Sequence, residues 1–131
     1  MKQGFVKVAS ATPRIRVADP VYNAQVICEQ AKEAAEHGAK IVVFPELCIT
    51  GYTCNDLFLQ ELLLEKAKEA LLTIAEETGQ LETLFLVGLP VDKDGRLYNV
   101  AAVLYRGRIL GMIPKKNIPM YAEFYEGRHF T

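Results

Sequence analysis

Several residue types and patterns that mark particular protein classes are scarce in this 131-residue chain. It contains no tryptophan, two histidines and three cysteines, and Cys28, Cys48 and Cys54 form no CxxC pair. An odd number of cysteines at such spacings argues against a disulfide framework and against a zinc site. We therefore expect this chain to bind no metal and to work in a reducing, cytoplasmic environment.

Charge and hydropathy exclude further classes. The 15 basic and 16 acidic residues nearly cancel and form no block of one sign, so we expect no nucleic-acid partner and no disordered acidic tail. No apolar run approaches the roughly 20 residues of a membrane span, and the N-terminus lacks the apolar region of a signal peptide, so we expect no membrane partner. The chain has no P-loop and no G-x-G-x-x-G motif, which predicts that it binds no nucleotide.

The stretch from Lys40 to Tyr52 is the most informative part of the sequence. Its run Ile41–Phe44 is apolar and rich in β-branched residues, which is typical of a strand buried on both faces. Pro45 cannot donate a ladder hydrogen bond and should end that strand. Glu46 follows at the carboxyl end of this strand, where ligand-binding and active sites of open α/β sheets usually lie. Its position alone also fits a solvated glutamate. The turn Thr50-Gly51-Tyr52 brings an aromatic side chain back beside Glu46, which favours a functional site.

Strand and helix patterns alternate along the chain, and half of the residues are hydrophobic, enough for a sizeable core. Asp19-Pro20 predicts the start of a helix that ends at Gly38, and a second helical region runs from Asn55-Asp56 to Gly79. The predicted strands are Phe5–Ala9, Ile41–Phe44, Thr83–Leu89, Leu97–Tyr105 and Ile109–Ile113, the last three forming an antiparallel meander. This order predicts an α/β fold in which a mixed sheet carries two main helices on one face. Its other face needs cover from the rest of a domain or from a partner.

The end of the chain is rich in chemically active residues. Lys115 and Lys116 follow the last predicted strand, where adjacent lysines are also common on solvated surfaces. Glu126 lies in a segment with four aromatic residues, namely Tyr121, Phe124, Tyr125 and Phe130. Charged side chains among aromatic ones indicate a lined pocket.

Three motifs in this order resemble the nitrilase, or carbon–nitrogen hydrolase, superfamily. They are F-P-E-L-x-x-T-G-Y at Phe44–Tyr52, P-K-x-N-I-P at Pro114–Pro119 and E-x-R-x-F at Glu126–Phe130. Within the superfamily, Cys54–Phe58 and Tyr121–Glu126 most resemble the N-terminal glutaminase domain of glutamine-dependent NAD synthetases. The resemblance covers the whole chain but only about the first half of the family's domain. Residues 1–131 are therefore expected to be the N-terminal part of such a domain and of its α-β-β-α sandwich.

The resemblance implies roles for five residues. Glu46 matches the family's general base, and Lys115, rather than Lys116, matches its catalytic lysine. Glu126 matches a second glutamate that holds the lysine and the substrate. Tyr52 and Tyr121 match aromatic residues that line the glutamine pocket.

The resemblance also implies a mechanism with a cysteine nucleophile, which the family carries well downstream of the lysine. None of Cys28, Cys48 and Cys54 matches that place, so we expect this polypeptide alone to be inactive. Glutamine would be the substrate, and its ammonia would pass to a separate synthetase domain that uses ATP, Mg and deamido-NAD. We expect no cofactor in this chain itself, and we expect homo-oligomers.

Two alternatives stay open at this point. The chain could belong to another amidase of the superfamily, of the carbamoylase or omega-amidase type. It could also be a short protein that binds or assembles without catalysis. The sequence of the gene beyond Thr131 discriminates among these alternatives.

Overall fold

The structure, a computed structural model, describes residues 4–116, 120–121, 124–125 and 130. Strands and helices alternate up to the third strand of the main sheet, after which only strands follow in the described residues. The elements in chain order are β1 (Val8–Ser10), α1 (Pro20–Glu36), β2 (Ile41–Val43), a 3₁₀ helix (Asn55–Leu59), α2 (Glu61–Glu77), β3 (Leu84–Lys93), β4 (Arg96–Tyr105), β5 (Arg108–Pro114), β6 (Met120–Tyr121) and β7 (Phe124–Tyr125).

The main sheet has five strands in the order β1-β2-β3-β4-β5. Strands β1, β2 and β3 are parallel, whereas β3, β4 and β5 form an antiparallel meander, so the predicted mixed sheet is confirmed. A two-residue turn at Asp94-Gly95 joins β3 to β4, and both residues have positive φ, as such tight hairpins require. Strands β6 and β7 pair with each other in a separate sheet.

Both helices pack on one side of this sheet. Asp19 caps α1 by accepting a hydrogen bond from the Tyr22 N–H at 3.2 Å, and Pro20 occupies the first turn, as the sequence predicts. Apolar residues at helical spacing on α2 are buried and join one core cluster with residues of α1 and of the sheet; they are Ala67, Ala70, Leu71, Ile74 and Ala75. Phe85, Val87 and Leu89 are the β3 members of that cluster and define the helix face of the sheet.

The alternate residues of the strands lie on the other side. Leu86 and Gly88 of β3 lie there, with Ala101 of β4 opposite Gly88 and Ile113 of β5 opposite Ala101. We call this side, defined by those four residues, the site face. It is less covered than the helix face: 59% of Ile113 is exposed.

Three predicted boundaries were wrong by three residues or more. The first strand begins at Val8 rather than Phe5, because only three residues of β1 pair with β2. The second helical region does not run unbroken from Asn55: Gln60 has extended backbone, with ψ at 123°, and separates the 3₁₀ helix from α2. Strand β3 is also longer than expected, because its pairing with β4 continues to Lys93 beside the tight turn.

Candidate active site

Glu46 lies on a tight turn directly after β2. The ladder continues one step past the strand, since the Phe44 N–H donates to the Leu86 carbonyl at 2.9 Å. The chain then reverses through Leu47, whose φ of 53° falls in the left-handed region that side-chain-bearing residues rarely adopt. A hydrogen bond from the Gly51 N–H to the Leu47 carbonyl, at 2.7 Å, closes the turn. Glu46 therefore sits on a constrained turn at the carboxyl end of a strand.

Gly88 of β3 makes room for this turn. A Cβ atom at position 88 would lie 2.4 Å from the Leu47 nitrogen and 2.9 Å from the Pro45 oxygen, which are closer than real Cβ contacts. The Gly88 carbonyl also accepts a hydrogen bond from the Ile49 N–H at 3.1 Å. The turn that carries Glu46 is thus packed directly onto the backbone of the neighbouring strand.

Lys115 meets Glu46 at this edge of the sheet. Its Nζ lies 2.5 Å from Glu46 Oε1, so the two residues that match the family's base and lysine are in contact. The backbone sets this position, because the Lys115 N–H donates to the Asn99 carbonyl on β4 at 2.8 Å and extends the β4–β5 pairing beyond Pro114. The two charged side chains remain accessible, with 30% of Lys115 and 40% of Glu46 exposed.

Asn99 forms a cluster with Glu46 and Lys115. The sequence did not predict this role for Asn99. It is almost fully buried, with 3% of its surface exposed. Its side-chain Nδ2 donates to Glu46 Oε1 at 2.6 Å, the same oxygen that Lys115 contacts. The available signal was a single amide within the otherwise hydrophobic predicted strand Leu97–Tyr105, since a buried polar group needs a partner.

A groove of about 350 Å³ lies beside this cluster on the site face. Glu46, Asn99 and Lys115 supply its polar wall. Its floor is apolar and includes Leu86, Gly88, Ala101 and Ile113. An apolar groove with a few convergent polar groups is the usual form of a small-molecule site.

The three cysteines are buried thiols, and none of them lines this groove. Burial raises the pKa of Cys48 to about 12, and its thiol donates to the Gly88 carbonyl at 3.7 Å. Burial, followed by the nearby Glu77 carboxylate, raises the pKa of Cys28 to about 11. Burial also raises the pKa of Cys54. At neutral pH these groups are therefore protonated, whereas a nucleophile needs the thiolate.

The remaining predicted site residues are only partly placed. Tyr52 is half-buried beside a second apolar cluster that includes Leu47, the residue after Glu46. Phe130 belongs to the same cluster and packs edge-on against Phe58, with ring centroids 5.0 Å apart. For Tyr121 the structure describes the backbone in β6 alone, and Glu126 lies outside the described residues. The expected convergence of Glu126 on Lys115 therefore stays a prediction.

A second cavity, of about 410 Å³, lies between α1 and α2 and is separate from Glu46. No group of three or more His, Cys, Asp or Glu side chains in the described residues could hold a metal ion. Nor do these residues contain a helix with the length and hydropathy needed to cross a membrane.

Comparison with known proteins matches residues 7–130 to the carbon-nitrogen hydrolase family. Among curated proteins, the glutamine-dependent NAD(+) synthetase of Mycobacterium tuberculosis is 40% identical over 130 residues. That of Acinetobacter baylyi is 34% identical over 131 residues. These matches include 99% and 100% of this chain but only 19% and 24% of the two relatives, so the chain spans about a fifth of their length.

Solved structures of an NAD(+) synthetase and of an amidase resemble this chain. A glutamine-dependent NAD(+) synthetase from Cytophaga hutchinsonii superposes with a TM-score of 0.91 and 31% identity, over 96% of this chain and 21% of that one. An amidase from Nesterenkonia sp. superposes with a TM-score of 0.78, over 100% of this chain and 49% of that one. At 23% identity the amidase indicates a shared fold alone.

Proposed function

The chain belongs to the carbon-nitrogen hydrolase family, and from this premise we propose that residues 1–131 are the N-terminal part of a glutaminase domain. The proposed domain hydrolyses the side-chain amide of glutamine and supplies the ammonia for NAD synthesis. Two observations support the choice of substrate. The curated relatives are glutamine-dependent NAD(+) synthetases, and the chain matches their N-terminal carbon–nitrogen hydrolase region.

The observation that carries this proposal is the contact between Glu46 and Lys115 in the polar wall of the groove. A carboxylate can take the proton of a thiol and later give a proton to departing ammonia, as a general base and acid. An ammonium group beside it can stabilise the negative charge that develops on the amide oxygen during attack. The proposed roles are thus base for Glu46 and oxyanion stabiliser for Lys115. Glu126 would hold Lys115, and Tyr52 and Tyr121 would line the glutamine pocket.

The nucleophile in this proposal comes from a part of the protein outside this chain. Cys28, Cys48 and Cys54 are buried, and burial raises the pKa of each thiol. Residues 1–131 alone are therefore expected to release no ammonia from glutamine. Release that required Cys48 would instead make Cys48 the nucleophile and contradict this part of the proposal.

The synthetase reaction would take place elsewhere in the protein. We propose that its ATP, Mg and deamido-NAD bind outside residues 1–131, since this sequence has no P-loop. No step at Glu46 and Lys115 uses these groups. We also propose that the protein is cytoplasmic and forms homo-oligomers.

The proposal is tested on the complete protein encoded by the gene that contains this chain. Ammonia release is measured with glutamine, with omega-amides of other acids and with N-carbamoyl amino acids. We expect glutamine to be the best substrate. A preference for an omega-amide or a carbamoyl compound would indicate the other amidase types, and no hydrolysis of any of them would indicate a protein that binds without catalysis.

A matched pair of variants tests the site. Lys115→Met should lower kcat by about 100-fold or more, as loss of an oxyanion-stabilising group does. Lys116→Met removes an equal charge from the next residue, which is exposed, and should leave kcat unchanged. Equal effects of the two substitutions would contradict the assignment of Lys115.

A further inference from the structure

We infer that Asn99 is a positioning residue, which fixes one carboxylate oxygen of Glu46 and leaves the other free for proton transfer; this inference rests on the proposed function. Asn99 Nδ2 lies 2.6 Å from Glu46 Oε1, and Lys115 Nζ lies 2.5 Å from the same atom. Within the described part of the chain, Glu46 Oε2 accepts no hydrogen bond. The two oxygens of Glu46 are therefore in different environments.

A carboxylate needs such a constraint to act as a directed base. Rotation about the last side-chain bond of glutamate is soft, with a broad distribution of angles, and 40% of the Glu46 side chain is exposed. A hydrogen bond from a fixed donor restricts this rotation. With Oε1 held, Oε2 is the oxygen that can take the proton of an incoming thiol.

Lys115 alone is poorly suited to hold Glu46 throughout the reaction. In the proposed mechanism its ammonium must also contact the amide oxygen as negative charge develops there. Asn99 has no such second task, and its amide is neutral and does not titrate. It can keep Glu46 in place while Lys115 redirects a hydrogen bond toward the substrate.

The fold makes Asn99 a rigid donor. It lies within β4 and pairs with Pro90 of β3. Its own carbonyl accepts the hydrogen bond from the Lys115 N–H. One residue therefore contacts Glu46 through its side chain and places Lys115 through its backbone.

Kinetics of the complete protein distinguish a positioning role from a purely structural one. Asn99→Leu removes the donor at similar size and should lower kcat with glutamine by about 10- to 100-fold, as small misplacements of catalytic groups do, with KM little changed. Asn99→Asp keeps the shape and adds a carboxylate beside Glu46. Because two adjacent carboxylates resist joint ionisation, the acid limb of its pH–rate profile should move to higher pH.

The matched control is Thr83→Val. The buried Thr83 hydroxyl donates to the Ala39 carbonyl at 2.9 Å, so this substitution also removes one buried hydrogen bond, just before β3 begins. It should lower the unfolding temperature without changing kcat or the pH profile. If the Asn99 variants change kcat and the pH profile no more than Thr83→Val, the positioning role is wrong while the proposed function stands.

Two other outcomes are also decisive. If Asn99→Leu fails to fold, the inference is tested by the pH–rate profile of Asn99→Asp alone. An acid limb that stays at its native pH overturns the inference. If the unsubstituted complete protein releases no ammonia from glutamine, the proposed function fails and the inference fails with it.

Discussion

The Lys115 ammonium lies 2.5 Å from Oε1 of Glu46, although the two residues are 69 positions apart in sequence. Glu46 follows β2 at the carboxyl edge of the parallel strands, and Lys115 directly follows β5 at the same edge. Both side chains are about one third exposed. Exposed ion pairs contribute at most about 1 kcal/mol to folding, so stability does not account for this contact.

The first prediction is that removing the ion pair spares the fold. Lys115→Met should change the free energy of unfolding by less than about 1 kcal/mol, because the pair is accessible to water. Urea unfolding of residues 1–131 measures this, with Lys116→Met as the control. A loss of about 3 kcal/mol or more would mean that the pair is buried in solution and acts as a structural salt bridge.

The second prediction concerns the packing beneath Glu46. Gly88→Ala should destabilise the protein by about 1–3 kcal/mol, because its new methyl group would overlap the turn at Leu47 and force the backbone to move. Gly111→Ala is the control, since a Cβ there meets no atom within 4 Å. Urea unfolding should show little change for Gly111→Ala. Equal stability of the two variants would show that the turn does not pack against Gly88.

The third prediction concerns thiol ionisation. The pKa of Cys48 is about 12 in the folded protein, against 9.0 for an exposed thiol. Between these two pH values the folded state keeps the thiol proton, whereas the unfolded chain loses it. The stabilisation from this protonated thiol is fully present below pH 9 and falls as the pH rises from 9 toward 12. Urea midpoints between pH 7.5 and 10.5 should therefore fall less steeply for Cys48→Ala than for the native sequence. Parallel pH dependences would contradict the burial of this thiol.

The fourth prediction concerns self-association of residues 1–131. The site face exposes apolar side chains such as Ile113, and uncovered apolar sheet faces tend to become interfaces. Sedimentation at micromolar concentration should show dimers or larger assemblies that Ile113→Lys weakens. Leu62→Lys, at a 65% exposed position on α2, should leave them intact. A compact monomer of 14.6 kDa would contradict the prediction.

Sequence patterns predicted the parts of the fold that depend on local chemistry. Asp19-Pro20 starts α1 because capping and proline geometry act within one turn. The start of α2 was wrong because the extended backbone of Gln60 leaves no signal in the side-chain pattern.

The site was predictable only where a motif marked it. Glu46 and Lys115 stand at strand ends beside recognisable residues, whereas Asn99 lies inside a strand. Its partner Glu46 is 53 positions away, and only the register of three strands brings them together. Gly88 was missed for the same reason, because its neighbours belong to the turn after β2.

The measurement that tests the central claim most directly is glutamine hydrolysis by the complete protein with Glu46→Gln. The substitution keeps the size of the side chain and removes its ability to take a proton, so kcat should fall by about 100-fold or more. Glu82→Gln is the control, because Glu82 is an exposed carboxylate paired with Arg106 at 3.6 Å, and it should keep full activity. A Glu46→Gln protein that folds and hydrolyses glutamine at the native rate would contradict the claim.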